Sequence, residues 1–192
     1  IRFNTKLPVA SLFGAQTIAQ LAHVINNQLA HWSPIVPIQP QGNKTPIFAA
    51  HALGAMVLSY EPLARALGKD QPFYGIQAYG FEEDQTPYTD LNEMLEFYVA
   101  AIRQQQPKGP YQLIGHSFGG VLAIEIARKL QTQGEQVNFV GLLDTHMPIR
   151  YADVSVDHAL ILKTFAEHNF GVVDVPLRAL RLMKPDVMIK TV

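Results

Sequence analysis

The sequence predicts an α/β fold with a mostly parallel sheet. From Pro46 onward, short β-type runs alternate with longer helical ones, the pattern of parallel strands joined by crossover helices. A chain of 192 residues, 48% apolar and 16% charged, also has the length and apolar content to bury such a core. A third observation is a glycine-flanked serine, Ser117, at one of the strand-to-helix junctions.

Composition narrows the function classes. The formal net charge is −1 and the lysines and arginines are scattered, so nothing in the sequence is suited to gripping nucleic-acid phosphates. There is no cysteine, which removes disulfides, thiolate chemistry and Cys-ligated zinc; no metal is expected. The longest nearly apolar run, Ile47 to Leu58, is too short to span a bilayer as a helix. The chain opens on Ile1 without a basic stretch and apolar core, so no signal peptide is expected, and the placement is cytoplasmic. Both ends read as cut ends.

In chain order, the first element is a helix over Thr17 to Leu29, with Ile18, Leu21, Ala22, Ile25 and Leu29 at helical spacing. Thr17 and Gln20 form its capping box. Prolines 34, 37 and 40 then forbid a central strand but permit a linker over 31–45 leading into an edge strand, with a boundary near residue 31. Strands are expected at Ile47 to Ala50, Phe73 to Gln77, Tyr111 to Ile114 and Val137 to Leu143. Between them lie a helix from Ala55 to Leu67 that stops at Gly68, and one following Asp90 with Met94, Leu95, Tyr98, Val99 and Ile102 on one face. A helix from Phe118 to about Gln133 ends at Gly134 and leaves only a narrow polar stripe of Glu125, Arg128 and Lys129, so it should be deeply buried.

The chemistry gathers at Gly115-His116-Ser117-Phe118-Gly119. A serine hydroxyl is a poor nucleophile at neutral pH, so acyl-transfer enzymes hold it on an exposed sharp turn beside a histidine base and backbone N–H donors. Gly115 and Gly119 carry no Cβ and let strand and helix meet closely enough for that turn, and Gly120 extends the freedom. This makes Ser117 the candidate nucleophile of a serine hydrolase of the α/β-hydrolase type; the bland alternative is a serine capping the following helix. One oxyanion donor would be the N–H of Phe118. The other would come from the loop His51-Ala52-Leu53-Gly54 through Ala52, unless that loop is a plain tight turn. Asp144 closes the strand Val137 to Leu143 on the same carboxyl edge as Ser117, which suits the acid that orients the base or, alternatively, a turn former.

Three segments, Pro46 to Gly54, Ile114 to Gly120 and Gly141 to Asp144, resemble the thioesterase domains that end nonribosomal peptide and polyketide synthetases. The resemblance runs from about Pro34 to the end, giving a thioesterase domain over 46–192. It implies that the acid follows the strand after the nucleophile's helix, which fits the 27 residues from Ser117 to Asp144. Leu7 to Phe13 and Thr17 to Ala22 resemble the last two helices of an acyl or peptidyl carrier domain, so 1–30 reads as a carrier remnant. The carrier's 4'-phosphopantetheine serine would then lie upstream of Ile1, and the thioesterase itself needs no cofactor.

The resemblance places the catalytic histidine after a helical lid, beyond Asp144, with position 192 inside that lid. His146, His158 and His168 read as surface or lid residues, and His51 and His116 as structural ones, so no base is named and the enzyme reads as incomplete. The apolar stretch from Ala159 to Leu182 suits lid helices or core helices equally. The implied function is release of a carrier-bound acyl or peptidyl chain by hydrolysis or macrocyclisation, with the acylated carrier domain as partner. A non-catalytic module that binds a carrier, and a general esterase or lipase, are the alternatives.

Overall fold

Every residue of Ile47–Ala50 is buried, as a strand covered on both faces requires. In the computed structural model, which describes residues 7, 11, 15, 17–26, 32–53, 57–80, 86–145, 163, 167 and 176–180, this segment is β2 of a five-stranded sheet. Its companions are Ile35–Gln39 (β1), Phe73–Ile76 (β3), Tyr111–His116 (β4) and Val137–Leu143 (β5), in the order β1-β3-β2-β4-β5. All pairs are parallel except β1 with β3, so the mostly parallel sheet is as expected. Pro37 lies in β1 beside a register shift, a position tolerable only because β1 is an outer strand.

Alternate residues of β2 feed two cores. Phe48 and Ala50 join the face covered by the helices Leu91–Gln105 (α3) and Phe118–Thr132 (α4), where Tyr98, Ile102, Leu122, Ile126 and Leu130 are fully buried. Ile47 and Ala49 face the other way, toward Val57, Tyr60 and Ala64. Glu61–Ala66 (α2) follows a 3₁₀ turn at Leu58–Tyr60 and carries Pro62 in its first turn. The helix expected from Ala55 is therefore shorter than its apolar pattern, because a proline belongs at a helix start and not inside one; residues 54–56 lie outside the described ones. Gly68 and Gly134 follow α2 and α4 with φ of +85° and +82°, the left-handed helix ends anticipated for them.

Asp90 caps α3 by accepting the Glu93 N–H at 2.9 Å. β4 runs two residues past the expected Ile114, because Gly115 and His116 still pair with Leu142 and Leu143. β5 differs from β2 and β3: Phe139, Leu142 and Leu143 are exposed, since this strand has a neighbour on one side only among the described residues.

Ile18–Asn26 (α1) begins with the anticipated capping box: Thr17 N–H donates to Gln20 Oε1 at 3.0 Å, and Gln20 N–H to Thr17 Oγ1 at 3.2 Å. None of its residues is buried. Its expected continuation to Leu29, and most of the carrier-like segment before it, lie outside the described residues. The chain divides into two compact units, Ile1–Met147 and Pro148–Val192. In the second, the described residues show an ion pair between Lys163 and Glu167 at 2.9 Å and a short helix at Leu177–Leu180 (α5). The lid reading of 159–182 otherwise falls outside the described residues.

Candidate active site

The turn between β4 and α4 is strained at one residue. Ser117 has φ 53° and ψ −123°, a conformation that costs a non-glycine residue about 1–3 kcal/mol and persists only where its surroundings enforce it. Three contacts enforce it. A Cβ on Gly115 would stand 1.9 Å from the Gly119 carbonyl oxygen, and one on Gly119 would stand 2.3 Å from that of Ala50. Strand, helix and the end of β2 therefore meet backbone to backbone. The Ser117 N–H donates to the Leu143 carbonyl at 2.9 Å, which ties the elbow to the end of β5.

Ser117 makes no side-chain hydrogen bond to the start of α4, so the capping alternative loses its physical basis. Its side chain is half-buried at the head of a helix. Phe118 opens α4, and its N–H belongs to the first turn, whose amides have no partner within the helix. An anion developing at Ser117 would meet that amide and the positive end of the helix.

Asp144 directly follows β5 with φ +45°, so the Leu143–Asp144 peptide lies against the serine elbow through the Ser117 N–H. Asp144 is exposed, whereas the acid that stabilises an imidazolium is ordinarily buried. Leu142 and Leu143 beside it are exposed too, and β5 has a strand neighbour on one side only among the described residues.

On the other flank, the loop after β2 is held by His51. The ring is 5% exposed, Nδ1 lies 2.8 Å from the Ala52 carbonyl, and Nε2 lies 2.9 Å from the Tyr98 hydroxyl. Burial holds the His51 pKa below its ordinary value, opposed by the Ala52 carbonyl. A neutral ring occupied at both nitrogens is a structural group, as anticipated, and not a base. His116 is exposed on β4, and its backbone N–H donates to the Tyr60 hydroxyl at 2.8 Å. His146, His158 and His168 lie outside the described residues.

Sequence reasoning missed Tyr60. Its hydroxyl accepts the His116 N–H and donates to the Ala50 carbonyl at 2.8 Å, bridging the ends of β4 and β2 beside the elbow. Desolvation raises its pKa, so the phenol stays protonated. The Tyr60→Phe substitution should take the phenol from the buried Ala50 carbonyl and the part-buried His116 N–H and cost about 1–3 kcal/mol, read from urea denaturation; an unchanged midpoint would show that water replaces the phenol.

The site is thus a strained serine at a helix head, an acid at the next strand end and an immobilised loop. No helix among the described residues is long and apolar enough to cross a membrane. Residues 45–168 match the family described as thioesterase domain. An inactive atromentin synthetase of Paxillus involutus is 39% identical over 153 residues, covering 75% of this chain and 16% of that protein. The chain spans about a sixth of the length of the curated relatives it matches. Among solved structures, a four-domain nonribosomal peptide synthetase bound to AMP and glycine superimposes with a TM-score of 0.70 at 31% identity, covering 97% of this chain and 15% of the other. The NocB thioesterase domain in covalent complex with a fluorophosphonate nocardicin G analogue gives a TM-score of 0.64 at 26% identity, covering 76% of this chain and 64% of the other.

Proposed function

Since this chain belongs to the thioesterase domain family, we propose that it releases an acyl or peptidyl chain from a carrier-held thioester through an acyl-enzyme on Ser117. The observation that carries the proposal is the backbone strain at Ser117, which presents its hydroxyl at the head of α4. The Ser117 oxygen attacks the thioester carbonyl and gives its proton to a histidine from outside the described residues. The tetrahedral oxyanion takes the Phe118 and Ala52 amides, and collapse expels the pantetheine thiolate. Water or a nucleophile within the acyl chain then attacks the acyl-Ser117 ester, giving hydrolysis or cyclisation. Asp144 orients the histidine.

The donor would be a carrier domain of the same synthetase, bearing 4'-phosphopantetheine, in the cytoplasm. Support for reading residues 1–30 as the end of a carrier is that the family match begins at residue 45, whereas the match to the four-domain synthetase covers 97% of the chain. A second reading, a carrier-binding module without catalysis, is favoured by the exposed Asp144 and by a relative named inactive. A fluorophosphonate probe separates the two. Labelling should occur on wild type and vanish with Ser117→Ala; no labelling of folded wild-type protein would leave only the binding module.

A further inference from the structure

The buried pair His51 and Tyr98 joins the loop after β2 to α3, 47 residues away in sequence, and nothing in the thioesterase chemistry above uses it. Tyr98 is completely buried and His51 nearly so, with ring centroids 5.8 Å apart and planes at 81°. Two polar side chains are kept in an apolar core only where each atom is satisfied. Here they are: the Tyr98 hydroxyl also meets the Tyr79 backbone, His51 Nδ1 meets the Ala52 carbonyl, and the His51 N–H donates to the Ile76 carbonyl at 3.0 Å. The accepting Ala52 carbonyl requires the ring proton on Nδ1, so Nε2 accepts from the Tyr98 hydroxyl. This fixes direction along the whole relay, from phenol to imidazole to the Ala52 carbonyl.

We infer that Tyr98 and His51 are positioning residues that orient the Ala52 segment, so that its N–H is aimed at the oxyanion before substrate arrives. The inference rests on the proposed role of Ala52. Both rings of the relay are anchored: Tyr98 by α3, where Val99 and Ile102 are also buried, and His51 by its ring contact with Phe118, centroids 6.4 Å apart. Without the phenol, Nε2 is left as a buried acceptor with no donor, and the ring can turn to find one. The Ala52 carbonyl then loses its donor, the turn of the chain at Ala52 is no longer fixed, and the adjoining His51–Ala52 peptide that carries the Ala52 N–H loses that constraint; donors that must reorganise during reaction lose much of their effect.

The test follows Ser117 phosphonylation in the full chain at rising fluorophosphonate concentration, which separates reagent affinity from limiting rate. Tyr98→Phe should keep the affinity and slow the limiting rate between about 10-fold and 100-fold. Ile126→Val, which removes a methyl from the same core, should change neither. In parallel, ¹⁵N spectra should show His51 protonated on Nδ1, and the Ala52 amide resonance should move in Tyr98→Phe while that of Ser117 stays. A wild-type rate in folded Tyr98→Phe, an equal slowing in Ile126→Val, or a proton on Nε2 overturns the inference. If wild type is not phosphonylated at all, the proposed function falls instead. The spectra then decide the positioning role alone, and an unmoved Ala52 amide overturns it.

Discussion

Replacing Gly115 by alanine is expected to cost the fold about 3 kcal/mol or more and to displace Ser117. The Cβ would stand 1.9 Å from the carbonyl oxygen and 2.0 Å from the carbonyl carbon of Gly119, and 2.4 Å from the Gly120 nitrogen. All three are backbone atoms of the first turn of α4, so no side-chain rotation relieves the clash. Neither partner can retreat easily. β4 is held in register between β2 and β5, while α4 buries Leu122, Ile126 and Leu130 against the sheet. Relief must come from opening the elbow, which would relax φ at Ser117 and withdraw its hydroxyl from the helix head. Chemical denaturation and fluorophosphonate labelling should therefore fall together. Gly134→Ala is the contrasting case: nothing lies within 4 Å of its Cβ, and only the φ of +82° resists, so the cost should stay near 1 kcal/mol. If Gly115→Ala is no worse than Gly134→Ala, the elbow is not held as described.

The elbow was legible in the sequence because its requirement is local. A positive φ at Ser117 and two close approaches demand small residues at fixed offsets, and Gly115 and Gly119 stand at those offsets. The strands were legible because β2 and β3 are buried on both faces and β4 is buried at Tyr111, Leu113, Ile114 and Gly115, so that they read as short, largely apolar runs. The tethers beside the site were not. Tyr60 and Tyr98 sit in segments whose apolar periodicity already explains them, and their hydroxyls find partners 10, 56 and 47 residues away, at distances that only the folded sheet sets. The exposure of Asp144 was illegible for a related reason. A strand-end position makes Asp144 a candidate acid, but its burial depends on whatever packs outside β5.

Asp144→Asn is expected to lower thioester turnover by about 10³ to 10⁴ while leaving the melting temperature close to that of wild type. The stability half follows from the backbone. Asp144 sits at φ +45°, a conformation that asparagine adopts as readily as aspartate, and its exposed side chain leaves no buried charge or cavity behind. The Leu143 carbonyl that receives the Ser117 N–H is main chain and stays in place. What disappears is the negative charge one residue from that hydrogen bond. In the proposed mechanism a carboxylate there would accept the histidine's second N–H, select the tautomer that can take the serine proton, and stabilise the imidazolium as it forms; a carboxamide of the same shape can present an N–H instead and select the wrong tautomer. The loss should fall on kcat rather than KM, because in the proposed mechanism the acid acts through the histidine and not on the thioester. Full turnover in Asp144→Asn would make Asp144 a turn former and would move the acid of this site to another residue.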